Sequence, residues 1–404
     1  VKQQLTAVQT AASSSDPKSA ATRIIFLRNV LVRVPQYRQD LSQLKPPPGE
    51  EAVPFTHFVK LETPTFNPAP PDQGLTYTSN PIPGLAEKGW QWIGAIPMGF
   101  TGPPIIFVAN GKSVQTGKTT FAYPGGADST SPGPDGVLPI DFSYDFKTDL
   151  VLAGAGGVRL MRQDDPTKFS DVTAEAKLPT AITSANYSGA WAADIEADGD
   201  LDVVLGSEKD SPPVLRNNGD GTFLEIHPFN NVSGARGFAW ADLDADGDPD
   251  AALIDSSGKL HVFSNLRQGQ FAERPLPQTL GNVRTINVGD INSDAILDLV
   301  LVQTDGAIIR ISDKNEGQDW DAATLAKLTD ATGNVGRTIR LRIADLDNNG
   351  GLDLLVASTS EPGKTVGGIA WLSDENGGLK ILQVPLPGRL FDTSDLNGDG
   401  LLDL

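Results

Sequence analysis

The stretch WADLDADGDPDAALIDS, residues 240 to 256, sets aspartate on every second position from Asp242 to Asp250 and then runs into the apolar segment Ala251 to Ile254. Gly247 stands at the sixth position of the acidic run, where a sharp turn favours a residue without a Cβ. The pattern reads as a strand, an acidic loop and a second strand. A near copy, WAADIEADGDLDVVLGS, occupies residues 191 to 207, and three relatives follow: GDINSDAILDLVLV from Gly289, ADLDNNGGLDLLVAS from Ala344 and SDLNGDGLLDL from Ser394. Their first aspartates, Asp194, Asp242, Asp290, Asp345 and Asp395, are spaced by 48, 48, 55 and 50 residues. A near-constant pitch of this size marks repeated structural units.

Residues 189 to 226 show a whole unit: GAWAAD, the acidic loop, DVVLGS, VLRNN, the turn GDG and TFLEI. Four short strands per unit make a propeller blade. Two degenerate units precede the five, at Asp141 (DFSYDFKTDLVLAG) and near Ile96 (IPMGFTGPPIIFVANG), the latter keeping the strand and no ligands. The predicted fold is all-β: a β-propeller of about seven blades of four antiparallel strands over residues 85–404. Its last blade is incomplete, because Leu404 directly follows Asp403.

The loop has the form D-x-D-x-D-G-x-x-D. Side chains at positions one, three, five and nine converge on one centre, and position seven offers its main-chain carbonyl. Ca²⁺ takes about six to eight oxygens at roughly 2.3 to 2.6 Å, whereas Mg²⁺ keeps several waters and demands near-octahedral geometry. Without a cation, carboxylates packed this densely repel one another. Four or five Ca²⁺ ions are therefore expected. The candidate ligands are Asp194, Glu196, Asp198, Asp200 and Asp202; Asp242, Asp244, Asp246, Asp248 and Asp250; Asp290, Asn292, Asp294 and Asp298; Asp345, Asp347, Asn349 and Asp353; and Asp395, Asn397, Asp399 and Asp403. The loop at Asp290 carries Ala295 where the pattern has glycine. The Asp141 loop has Ser143, Asp145 and Asp149 but Phe146 at that position, and reads as the one least suited to a metal.

At these residues the chain resembles the FG-GAP/VCBS repeat family, the calcium-loop propellers also seen in integrin α-subunit heads and in many exported bacterial proteins. The resemblance covers about residues 90 to 404. RNNGDGTF (216 to 223) and FSDVTAEAKLP (169 to 179) look like blade-ending phrases of bacterial VCBS proteins, including those with ASPIC/UnbV-type modules. The resemblance implies calcium sites between the first and second strands of successive blades, with recognition carried by other loops.

Composition narrows the function. The chain has 404 residues and a net charge of −19, and nucleic-acid binders need a basic face. It has no cysteine, hence no disulfide framework, and three histidines argue against a zinc site. No transmembrane span is read, since the most apolar stretch, Ile24 to Val34, is short and broken by Arg28 and Arg33. Residues 1–45 carry seven Lys/Arg against Asp16 and Asp40, or +5, which leaves −24 for the rest. Asp16 followed by Pro17 predicts a helix start, so 1–45 reads as a helical segment. Residues 46–84, holding ten of the thirty prolines, read as an extended linker.

The expected function is a non-catalytic module that binds a protein or glycan or acts as a scaffold. It would work outside the cytoplasm, at a cell surface or in a periplasmic or membrane-bound complex. The alternative is a polysaccharide lyase or hydrolase working in the propeller's central funnel, which needs a general base. Of the histidines, His57 lies in the linker, while His227 and His261 fall at similar places in neighbouring units, as structural residues do. Trp191 and Trp240, directly before acidic loops, are expected to pack between blades.

Overall fold

The computed structural model describes residues 75, 89–99, 102–267, 269–314, 317–328, 338–359, 369–374, 378–382 and 392–404. The helical segment expected in 1–45, the proline-rich linker apart from Leu75, and His57 lie outside the described residues. Two compact units divide the chain: Val1–Pro68 with Glu196–Gly199, and Ala69–Ile195 with Asp200–Leu404. The strands among the described residues all belong to the second.

Six four-stranded antiparallel sheets follow one another along the chain. Blade 1 is β1 (Trp92–Ile96), β2 (Ile105–Ala109), β3 (Ser113–Thr116) and β4 (Thr119–Ala122). Blade 2 is β5 (Val137–Ile140), β6 (Asp149–Gly154), β7 (Gly157–Asp165) and β8 (Lys168–Asp171). Blade 3 is β9 (Ala190–Ala193), β10 (Asp202–Leu205), β11 (Val214–Asn217) and β12 (Phe223–Ile226). Blade 4 is β13 (Gly237–Ala241), β14 (Asp250–Ile254), β15 (Leu260–Asn265) and β16 (Phe271–Arg274). Blade 5 is β17 (Val283–Gly289), β18 (Asp298–Gln303), β19 (Ala307–Lys314) and β20 (Asp319–Lys327). Blade 6 is β21 (Thr338–Ala344), β22 (Asp353–Thr359), β23 (Ile369–Ser373) and β24 (Leu379–Ile381). The strands read from residues 189 to 226 fall on β9 to β12.

The second strand of each of these blades except the first begins at the ninth loop position: Asp149, Asp202, Asp250, Asp298 or Asp353. The apolar run after that aspartate is buried on both faces in β6, β10, β14 and β18, because a strand inside a blade is covered by both neighbouring blades. The core is accordingly divided into clusters that lie between blades. One joins Ile195, Val204 and Val214 of blade 3 to Phe238, Leu253 and Phe263 of blade 4, with Trp191 and Trp240 packed against it. Trp191 of blade 3 meets Phe238 of blade 4 at 6.1 Å, the inter-blade packing expected of it, whereas Trp240 stacks at 6.3 Å on Phe238 of its own strand β13.

The blade count differs from the sequence reading, which equates each acidic loop with a blade start. Among the described residues six blades are found, not seven. The last loop adds an isolated bridge between Ser394 and Asp403, and its Leu402 and Leu404 pack against the core residues Leu346 and Leu355 of blade 6. Among the described residues this loop pairs through that bridge alone and joins none of the six sheets, so an acidic loop need not mark a blade.

Gly157 shows how tightly the connection after blade 2 packs back on that blade. It opens β7 with φ +115°, and a Cβ there would lie 1.9 Å from the carbonyl oxygen of Thr183, in the single-turn helix α1 (Thr180–Thr183). Gly157→Ala is expected to lower unfolding free energy by at least ~2 kcal/mol. Gly221→Ala, with φ +84° and open space around it, should cost about 1 kcal/mol. Urea titration followed by circular dichroism separates the two, and equal losses would contradict the packing described.

Candidate metal centre

The six acidic loops share one backbone path. At the fourth position Tyr144, Ala197, Ala245, Ser293 and Asn348 have φ between 55° and 59°, and Gly398 has φ 79°. At the sixth position Gly199, Gly247, Gly350 and Gly400 have φ between 84° and 90°. Phe146 and Ala295 hold the same left-handed turn at φ 63° and 68°, although a side chain there costs roughly 1–2 kcal/mol. The path therefore does not depend on glycine.

Two carboxylates enforce it. The first-position aspartate accepts the N–H groups of positions five and six: at Asp242 from Asp246 (3.1 Å) and Gly247 (3.0 Å), at Asp290 from Asp294 (3.0 Å) and Ala295 (2.9 Å). The same pair recurs at Asp141, Asp345 and Asp395. The ninth-position aspartate braces the loop to the third strand of its blade. Asp250 accepts Leu243 N–H (3.2 Å) on one oxygen and Asn265 N–H (3.0 Å) on the other. Asp202 does the same with Ile195 and Asn217, and Asp353 with Leu346 and Ser373. Asp298 accepts Ile291 N–H and the Ser312 hydroxyl. Asp149, in the loop without the full pattern, takes Ser143 and Gln163. The sequence marks these aspartates, apart from Asp141 and Asp149, as ligands; the structure adds a structural task that no side-chain pattern reveals, because most of the donors are main-chain N–H groups.

Two loops bring three carboxylates together. Oxygens of Asp242, Asp244 and Asp246 lie within 4.8 Å of one another, and so do those of Asp345, Asp347 and Asp353. Two ligands about 2.4 Å from one ion can be no more than about 4.8 Å apart, so each group can share a single cation. Asp244 supplies the sharper observation. Its side chain is 10% exposed and its Oδ1 is buried without a hydrogen-bond partner. A buried carboxylate oxygen left unsatisfied is costly, and a cation in the loop removes that cost. The donor set is all oxygen and suits Ca²⁺.

The remaining candidates are arranged differently. Among the described residues the other loops do not bring three carboxylates this close. Asn292 and Asn397, at third positions, donate side-chain N–H bonds to Asp294 (2.8 Å) and Asp399 (3.0 Å). Asn349 donates likewise to Asp347 (3.2 Å) and to the Ser373 carbonyl (2.9 Å). Asp248 turns its carboxylate to Arg267. Asp198, Asp200 and Asp202 are buried, whereas Asp194 and Glu196 keep partial exposure. In the Asp141 loop the Lys147 ammonium lies 2.7 Å from Asp145 Oδ2, so a cation of the chain itself sits at the fifth-position carboxylate.

Both described histidines are engaged by acid. His261, buried, has Glu273 Oε1 2.7 Å from Nδ1 and Asp255 Oδ2 3.3 Å from Nε2. Half-exposed His227 has Ser211 Oγ at Nδ1 and Glu225 Oε1 at Nε2, each at 3.0 Å. A cleft of about 480 Å³ opens on blade 4, lined by residues that include Lys259, Glu273, Pro275, Leu276 and Asn282.

A family model described as an FG-GAP-like repeat matches residues 141–205, 194–253 and 242–301. Each match runs from one acidic loop into the strand beyond the next, and the first includes the degenerate loop at Asp141. No curated protein matches the chain. Among solved structures, the chain is similar to a lectin of Agrocybe aegerita that specifically recognises non-reducing terminal N-acetylglucosamine. Identity is 20%, the TM-score is 0.43, and the likeness covers 71% of this chain and 75% of the lectin.

Burial pushes Asp149 up to about 6 and Asp250 up to about 7, with their accepted N–H bonds offsetting part of the rise. Burial also raises Asp298 and Asp353. In the metal-free fold these groups retain protons that the unfolded chain has already lost, so stability falls as pH rises. In EDTA the melting midpoint should therefore drop between about pH 4 and pH 7, the window between the ordinary aspartate value and the raised ones. A midpoint that climbs across that window in differential scanning calorimetry would contradict the assignment.

Proposed function

We propose, from the premise that this chain is a β-propeller carrying FG-GAP-like repeats, that it is a non-catalytic binding module stabilised by four or five Ca²⁺ ions. The observation that carries the reading is the Asp242 loop, where three carboxylates converge and Asp244 Oδ1 is buried without a partner. Positions one, three and five would hold the ion there, as would Asp345, Asp347 and Asp353 in blade 6. The ion supplies charge neutralisation and holds the loop edge rigid; no reaction passes through it.

A partner of protein or glycan fits a rigid propeller whose loops are free to vary in sequence while the blades stay fixed. Calcium loops of modest affinity fill where Ca²⁺ is abundant, which favours a cell-surface, periplasmic or secreted setting, with the chain serving as an accessory or scaffolding part of a larger assembly. The acidic balance of −19 disfavours nucleic acid as that partner. Among the described residues no helix is long and apolar enough to cross a membrane.

A hydrolase is the second reading, and Ser211–His227–Glu225 is the observation that favours it. Its connectivity is that of a nucleophile, base and orienting acid. Against it, the imidazole is 41% exposed, and acyl-transfer chemistry needs oxyanion donors in a water-poor site.

Two measurements test these readings. Millimolar Ca²⁺ added after EDTA should raise the melting midpoint by at least about 5 °C, Mg²⁺ should do less, and metal analysis should count four or five ions. No shift and no bound ion would remove the calcium reading. A fluorophosphonate probe should leave Ser211 unmodified; labelling that disappears in Ser211→Ala would favour the hydrolase.

A further inference from the structure

We infer that Arg274 is an internal counter-ion of the Asp242 loop, which competes with a metal ion for Asp244 and couples that loop to blade 5 through Asp313. The inference rests on the calcium reading and concerns residues outside the acidic motif.

Arg274 ends β16, the outermost strand of blade 4, and its side chain is only 5% exposed. One guanidinium nitrogen, Nη2, donates to Asp313 Oδ1 of the neighbouring blade. The other, Nη1, stands 3.9 Å from Asp244 Oδ2, an ion pair without a hydrogen bond. The guanidinium carbon lies 4.0 Å from the centroid of the Trp320 ring, and Trp320 Nε1–H donates to the Pro275 carbonyl at 2.9 Å, so the contact joins blades 4 and 5 on both sides of the charge. Asp313 in turn accepts Gly317 N–H at 3.0 and 3.1 Å. A Cβ on Gly317 would come within 3.0 Å of Asp244 Oδ2, which puts the β19–β20 turn directly over that carboxylate.

One buried cation is thus divided between two buried carboxylates from different blades, each less than about a tenth exposed. Its hydrogen bond goes to Asp313. Arg274 Nε and Nη1 are left without hydrogen-bond partners, and so is Asp244 Oδ1. This charge balance is incomplete by one positive charge, which a cation at Asp242, Asp244 and Asp246 supplies. The guanidinium repels that cation while the metal-free loop relies on it. Entry of the ion releases Arg274 entirely to Asp313 and so strengthens the blade 4–blade 5 contact. Ion affinity at this loop is set by a residue of β16 and one of β19.

The variants have opposite expected signs. Arg274→Gln removes the competing charge and should tighten the Asp242 site about tenfold, while lowering the melting midpoint in EDTA. Asp313→Asn frees Arg274 to pair with Asp244 and should weaken the same site several-fold. Tb³⁺ luminescence sensitised through Trp320 and displaced by Ca²⁺ reads this site in the full chain, and the signal lost in Asp246→Asn identifies it. Unchanged affinities, or shifts of the same sign in both variants, would overturn the inference even if Ca²⁺ binds. Should Arg274→Gln fail to fold without metal, Asp313→Asn decides alone. Absence of any Asp246-dependent Tb³⁺ or Ca²⁺ binding in the unaltered chain overturns the calcium reading itself, a distinct result.

Discussion

A carboxylate buried at the start of the second strand in every blade but the first is the constraint on which the rest of the propeller depends. Asp149, Asp202, Asp250, Asp298 and Asp353 are almost fully enclosed, and ionised groups are rarely buried unless fully hydrogen-bonded. Each meets that demand by accepting one bond from its own loop and one from the third strand of its blade. The strand that follows is the most apolar of the four and is covered by both neighbouring blades. If the brace slipped by one residue, every side chain of that strand would change face, so the aspartate fixes register as well as the loop's exit.

That view separates two tasks that the acidic motif presents as one. The ninth position belongs to the fold: it is held in the Asp141 loop, whose third position is serine and whose fifth-position carboxylate already has the Lys147 ammonium. Position one is always aspartate, position three varies between aspartate, glutamate, asparagine and serine and position five between aspartate and asparagine, and the two loops with three converging carboxylates are those with aspartate at both one and three. The first position partakes of both, since its oxygens already accept two main-chain N–H groups and still face the loop centre.

Much of this was legible in the sequence because period and chemistry coincide. Five acidic loops at nearly equal spacing, each before an apolar run, define the blade, and the strands read from 189 to 226 match β9 to β12. Trp191 was legible too, since its ring meets Phe238 of the next blade, whereas the rings that Trp240 meets, Phe238 and Phe271, belong to its own blade. The blade count was not: the loop motif at Asp395 is present, yet among the described residues it forms an isolated bridge and no sheet. Nor could Arg274 be found, because a lone arginine at a strand end carries no local signature; its partners Asp244, in its own blade, and Asp313, across the blade boundary, lie thirty and thirty-nine residues away. The main-chain donors to the buried aspartates leave no trace in side-chain identity at all.

The persistence of the loop path without glycine shows that something other than glycine holds the turn. Ala295 and Phe146 hold a left-handed conformation that costs each roughly 1–2 kcal/mol, and Phe146 does so with its ring 69% exposed and little packing to offset the strain. What offsets it is local: two N–H bonds to the first-position aspartate, each worth about 1 kcal/mol or somewhat more because the acceptor is charged. The protein therefore shapes the loop with its own hydrogen bonds, and the proposed cation would enter a site whose backbone is already turned. Its binding energy would then go to neutralising charge and stiffening the blade edge rather than to ordering the chain. The loops differ from one another in charge compensation, with Lys147 in one and Arg274 beside another, and not in backbone path.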